Sequence, residues 1–277
     1  MNRYSPDMIT ADGADWQVQD GEGPVIAAAI HSGHRIRDEL KPWLAIPDKG
    51  RLREEDPLTD YFLTVADTSV RANVSRFECD LNRPRDICIT RDPAKTWDLR
   101  IWQDDLPPEQ MDKSREIHDR FYRAMRRLCD DRIAQYGRIL LLDIHSYNFK
   151  RNGPDGEPAP ADKNPDIDIG ATTLNKEVYG DLLNDFAETL RSVPVNGGAP
   201  SVGINVRWED GGNFPEWLHG IYGEKACIMT LEYKKIFMDE WSEEADIFAL
   251  QHLRQGLLLA VEGARKAFEK MAGKQDR

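Results

Sequence analysis

Residues 138–145 read RILLLDIH, a nearly continuous apolar run that ends on a histidine. A strand with one solvated face alternates apolar and polar residues, whereas an unbroken run of this length is expected of a central strand covered by helices on both faces. Just upstream, Ile117, Phe121, Met125, Leu128, Cys129 and Ile133 recur at three- and four-residue steps among charged residues. That spacing predicts an amphipathic helix over 108–136, closed by Gly137.

The same alternation continues outward in both directions. Residues 23–30 (GPVIAAAI) read as a buried strand running into His31-Ser32-Gly33-His34. A polar stretch from Asp48 to Asp60 follows, then Tyr61–Ala66, which fits strand or helix. Residues 75–81 (SRFECDL) are expected to form a strand that stops at Asn82-Arg83-Pro84, since proline cannot extend the ladder. Lys150–Asn164, rich in Gly, Pro, Asp and Lys, is a surface loop. A helix is expected over 175–193, strands near 201–206 and 226–232, a turn at 208–212 and a closing helix over 246–271. Strands alternating with helices predict one α/β domain over 1–277: three α/β/α layers around a twisted, largely parallel mixed sheet. Residues 1–22 form an N-terminal extension and 150–165 the surface loop.

Composition limits the function. There are 37 Lys and Arg against 49 Asp and Glu, a formal net charge of −12, so the chain as a whole repels nucleic acid and anionic membranes. No apolar run approaches the roughly 18 residues that span a bilayer. The N-terminal residues carry Asp7, Asp12, Asp15 and Asp20 without an apolar core, which argues against a secretory signal and for a cytoplasmic location. Cys79, Cys88, Cys129 and Cys227 lack CxxC spacing and read as buried thiols. P-loop, GxGxxG and GxSxG motifs are absent from the sequence.

Three candidate residues share one topological address. His31, His145 and Glu232 each fall at or near the carboxyl end of an expected strand, where open α/β sheets bind ligands. A catalytic zinc takes three protein groups, imidazole foremost, and keeps a position open. His31 and His145 suit that requirement, and His34 shares a face with His31 if the chain turns helical there. Glu232 closes the apolar run Ile228–Leu231 and suits general acid–base work, although a salt bridge to Lys234 or Lys235 would explain it equally. Arg76 and the pair Asn82-Arg83 supply forks for a carboxylate or an oxyanion. His118 and His252 lie on amphipathic helices and are not expected to be ligands.

The motifs HSGH (31–34), SRFECDLNRP (75–84), LLLDIHSYN (140–148), DIDIG (166–170), NVRWEDGG (205–212) and TLEYKKIFMDE (230–240) stand in an order that resembles the N-formylglutamate amidohydrolase family. That family is similar to the zinc carboxypeptidases and aspartoacylase. The resemblance implies a zinc-carboxypeptidase-like fold and one Zn2+ per chain, with other divalent metals open. Its ligands would be His31, His34 and His145; the carboxypeptidase glutamate is replaced here by His34, so an oxygen from Asp56 or Asp60 is the alternative second ligand.

The resemblance further implies that Glu232 is the catalytic base, Arg76 the carbonyl-polarising group and Asn82-Arg83 the substrate-carboxylate anchor. A second substrate carboxylate would fall to Arg207, Arg35 or Lys150. The implied activity is hydrolysis of an N-acyl, foremost N-formyl, amino acid such as N-formylglutamate by metal-activated water. The alternatives are a carboxypeptidase-like peptidase and a catalytically inactive protein that binds an acidic metabolite on the same scaffold. The one partner expected is the small-molecule substrate; oligomeric state is left open.

Overall fold

The computed structural model describes residues 15–208 and 212–275. Its elements run β1 (Trp16–Gln19), β2 (Val25–Ala29), α1 (Asp48–Glu54), β3 (Thr68–Ala72), α2 (Pro108–Tyr136), β4 (Ile139–Tyr147), β5 (Ile167–Gly170), α3 (Lys176–Ser192), β6 (Val202–Ile204), α4 (Asn213–Tyr222), β7 (Ala226–Lys234) and α5 (Ile247–Gln275). The strands form one sheet in the order β1-β3-β2-β4-β7-β5-β6. The pairs β2·β3, β2·β4, β4·β7 and β5·β6 are parallel, while β1·β3 and β5·β7 are antiparallel. The sheet is therefore mixed and largely parallel, and no helix among the described residues is long and apolar enough to cross a membrane.

The run around Leu141 is the central strand, and period-2 geometry divides it between two cores. Leu140, Leu142 and Ile144 face a cluster shared with Leu183, Phe186 and Leu257 from α3 and α5. Ile139 and Leu141 face Phe121, Leu128 and Phe214 from α2 and α4. All nine residues of β4 are buried, which explains the unbroken apolar reading. Each fully buried Leu or Ile contributes roughly 1.5–3 kcal/mol relative to exposure, so this strand is the anchor of both layers.

Several boundaries differ from expectation. Residues 75–81 form a turn, not a strand: the Glu78 and Cys79 amides both donate to the Ser75 carbonyl, and Ser75 Oγ accepts from the Phe77 amide at 3.2 Å. Such local bonds compete with a ladder. The strand in this part of the chain is β3, before the turn. Tyr61–Ala66 resolves into a 3-10 helix, Thr59–Val65. Trp16–Gln19, inside the expected N-terminal extension, adds an edge strand against β3. The turn expected at 208–212 lies largely outside the described residues. All four cysteines are free and buried.

Candidate active site

On the α2/α4 side of the sheet, the apolar alternation gives way to polar residues near the strand ends. Along β4, Ile139 and Leu141 are followed at the same parity by Asp143 and His145; along β7, Ile228 is followed by Thr230 and Glu232. His145 and Glu232 are register partners, and Glu232 also pairs with Asp168 of β5. Partners in register point to the same face, so Asp168, Glu232 and His145 form a row across three strands. His31 arrives beside them two residues past β2. A cavity of about 520 Å³ opens over this row.

The imidazoles of His31 and His145 meet Nδ1 to Nδ1 at 3.0 Å, and Asp56 Oδ2 lies 3.2 Å from His145 Nδ1 and 3.5 Å from His31 Nδ1. All three residues are buried. Each ring turns its other nitrogen to a buried carboxylate: His31 Nε2 to Asp80 Oδ1 at 2.7 Å, and His145 Nε2 to Asp143 Oδ2 at 2.9 Å. The second contact is a close ion pair whose angle falls short of hydrogen-bond geometry.

A proton on each Nε2, the edge that faces a carboxylate, would leave two Nδ1 lone pairs and a carboxylate oxygen converging on one point. Only a proton or a cation reconciles three acceptors at this spacing. Burial opposes charge on His145, yet Asp143, Asp56 and Glu232 hold its pKa well above the ordinary histidine value. Burial likewise opposes charge on Asp56, but its bonds to His145 and His31 keep its carboxyl far below the usual range. Two nitrogens, one oxygen and outer carboxylates fit a divalent metal of the zinc type, and the three residues form a group able to hold one.

His34 does not join this group. Its Nδ1 bonds to Glu55 Oε2, and its Nε2 lies 3.1 Å from Arg51 Nη2, with the ring partly exposed. After β2 the chain does not become helical, so the three-residue spacing never brings both imidazoles to one face. Asp56, the alternative read from the sequence, stands where His34 was expected. Asp60 pairs with Arg71 at 3.1 Å, away from the imidazoles. His118 Nε2 donates to the Arg83 carbonyl at 2.9 Å.

Glu232 lines the cavity, and burial pushes its pKa up to about 7, with His145 pulling it down and Asp56 pushing it up. A carboxyl in that range is suited to take and return a proton. Arg76 Nη2 and Arg83 Nε both donate to Asp80 Oδ2, at 3.2 and 3.1 Å. Asp80 is thus a hub that orients His31 through one oxygen and two guanidinium groups through the other. Asn82 accepts the Phe214 amide at 3.0 Å through Oδ1, leaving its amide nitrogen for other partners. Gly212, with φ +85°, passes so close that a Cβ there would sit 2.4 Å from Asn82 Nδ2.

Of the three groups expected to read a second carboxylate, Arg207 alone lines the cavity; Arg35 pairs with Asp15. The Arg207 guanidinium stacks 4.2 Å over Tyr147 and 4.9 Å over Trp208 and bonds to Asn164 Oδ1. Arg76, Arg83 and Arg151 are each paired with a carboxylate, but Arg207 has no such partner among the described residues. Asp168 fixes the turn that carries it, accepting from the amides of Val206 at 3.1 Å and Arg207 at 2.7 Å.

Sequence reasoning missed Asp80, Asp143, Asp168 and Lys235. Asp143 had a readable signal, two residues before His145 on a strand and therefore on the same face. Asp80 lies 49 residues from His31 and had none.

The fold has counterparts. The chain is similar over 92% of its length to 98% of a crystal structure of an N-formylglutamate amidohydrolase from Ralstonia eutropha, with a TM-score of 0.69 and 18% identity. It is also similar over 90% of its length to 97% of a gene product of Agrobacterium tumefaciens, with a TM-score of 0.59 and 18% identity. No curated protein matches. A model of the N-formylglutamate amidohydrolase family matches residues 23–226, a span that holds His31, Asp56, Asp80, Asn82, Arg83 and His145, and the chain belongs to that family.

Proposed function

We propose that this protein hydrolyses the amide bond of an N-acyl amino acid carrying two carboxylates, of the N-formylglutamate type, at a divalent metal held by His31, Asp56 and His145. The convergence of three potential ligand atoms beside the desolvated carboxyl of Glu232 carries this reading. A zinc ion in that position would polarise the amide carbonyl and lower the pKa of water from 15.7 towards about 7. Imidazole with carboxylate suits zinc, with manganese, iron and nickel as the other divalent candidates.

The residues of the chain then have separable tasks. Glu232 takes a proton from the attacking water and returns it to the departing amine, so the C–N bond breaks to give a carboxylic acid and a free amino acid. Arg76 donates to the oxygen on which negative charge develops, a contribution typically worth about 3 kcal/mol per donor. Arg83, with Asn82, anchors the α-carboxylate. Arg207 receives the second carboxylate, in keeping with a cavity-lining guanidinium that stacks on Tyr147 and Trp208 and forms no ion pair among the described residues.

The test is direct. Zinc-loaded protein incubated with N-formylglutamate should release formate and glutamate, and faster than it cleaves N-acetylglutamate or a dipeptide. Preferential dipeptide cleavage would favour a peptidase. Tight binding of N-formylglutamate without turnover would indicate an inactive binding protein.

A further inference from the structure

Asp56 differs from the two histidines beside it in its support. His145 lies within a central strand and His31 stands two residues past one, but Asp56 belongs to the loop after α1. Its amide donates to the His31 carbonyl at 3.0 Å. The residues just before it are held from another direction. Lys235, the first residue beyond β7, donates its amide to the Tyr147 carbonyl at 3.0 Å, prolonging the β4·β7 ladder. Its side chain, 1% exposed, sends Nζ to the Arg53 carbonyl at 2.7 Å and the Glu55 carbonyl at 2.8 Å.

Other groups from the same strand ends converge on the segment. Asn148 Nδ2 donates to the Arg53 carbonyl at 2.8 Å, and the Arg53 guanidinium reaches Glu240 Oε1 at 2.9 Å. Glu240 Oε2 in turn accepts the Phe149 amide at 2.7 Å. A buried ammonium is expensive to retain where its near partners are backbone carbonyls, and a hydrocarbon of the same length would fill the volume without that penalty. Holding these carbonyls fixes the peptide that leads into Asp56.

We infer that Lys235 is a positioning residue for the metal site: by clamping the Arg53 and Glu55 carbonyls to the rigid ends of β4 and β7, it sets Asp56 against His31 and His145 and so raises metal affinity. This rests on the reading that the cation sits among those three residues. A pre-placed carboxylate spares the binding step the ordering of a loop, and outer groups that orient ligands typically change metal affinity by 10–100-fold.

The experiment is a double-mutant cycle read by zinc affinity in competition with a chromophoric chelator, on wild type, Lys235→Met, Asp56→Ala and the double variant. Lys235→Met should weaken zinc binding 10–100-fold, and the double variant should bind no more weakly than Asp56→Ala alone, because Lys235 acts through Asp56. Independent, multiplying losses would overturn the inference, as would wild-type affinity in Lys235→Met. If Lys235→Met does not fold, Lys235→Gln, which keeps one donor, enters the same cycle with a smaller loss and the same required non-additivity. Failure of the wild type to take up zinc, or full zinc affinity in Asp56→Ala, strikes the underlying site reading instead.

Discussion

His31 and His145, 114 residues apart in sequence, face one another Nδ1 to Nδ1 at 3.0 Å while their opposite nitrogens rest against Asp80 and Asp143. Two imidazoles so oriented repel unless something positive lies between them, and Asp56 Oδ2 at 3.2 Å from His145 completes the three-sided arrangement.

The ligand set is checked by metal content. After dialysis against metal-free buffer, zinc-loaded wild type and His34→Ala should each keep about one zinc per chain, and Asp56→Ala should lose it. Loss from His34→Ala with retention in Asp56→Ala would reverse the assignment.

Glu232→Gln should keep its metal and lose turnover. A positioned acid–base group contributes typically 10²–10⁴-fold, so kcat should fall by about that much while zinc content stays at the wild-type value. Activity near the wild-type level would remove Glu232 from its assigned task.

Arg207→Ala should chiefly raise KM. A charge-assisted hydrogen bond is worth roughly 1.5–3 kcal/mol, which corresponds to about a tenfold to hundredfold rise for a dicarboxylate substrate. Because the contact lies away from the scissile bond, kcat should change only a few-fold. Equal KM values in variant and wild type would leave the second carboxylate without a reader.

Metal removal should destabilise the fold. A ligand present at about 100 times its Kd stabilises the folded state by about 2.7 kcal/mol, so chelation should lower Tm by several degrees. Calorimetry with and without chelator measures this, and identical transitions would count against a built metal site.

Lys235 gives the metal-free protein a pH dependence with a definite sign. Burial pulls its pKa from 10.5 down to about 8, and the nearby Asp56 pulls the other way. Above about pH 10.5 the side chain is neutral whether the chain is folded or not, and no charge is buried. As pH falls from there towards 8, the unfolded chain takes the proton first and stability is lost; below 8 both states are charged and the slope ends. Denaturant midpoints at pH 8, 9 and 10 in chelator should show this slope in wild type and its loss in Lys235→Met.

Much of this molecule is legible along the chain. The apolar run at 139–144 reads as a strand covered on both faces, and the 108–136 periodicity as an amphipathic helix, because period and hydrophobicity are local properties. His31, His145 and Glu232 were legible for a related reason: a polar residue that closes a buried strand needs a purpose, and sheet topology gathers strand ends. Arg76, Asn82 and Arg83, read first as forks for a carboxylate or an oxyanion and then given separate roles by the family order of motifs, all line the cavity.

What the tertiary structure alone decided is which way side chains of similar chemistry turn. Glu54, Glu55 and Asp56 are consecutive acids, yet Glu54 pairs with Arg151, Glu55 with Arg51 and His34, and Asp56 with the two imidazoles. From the sequence His34 was the expected second ligand, with Asp56 or Asp60 as the alternative. The choice fell to a loop whose direction is set by Lys235 and Asn148, residues nearly a hundred positions or more away, and no local pattern encodes a clamp that exists only once β4 and β7 lie side by side.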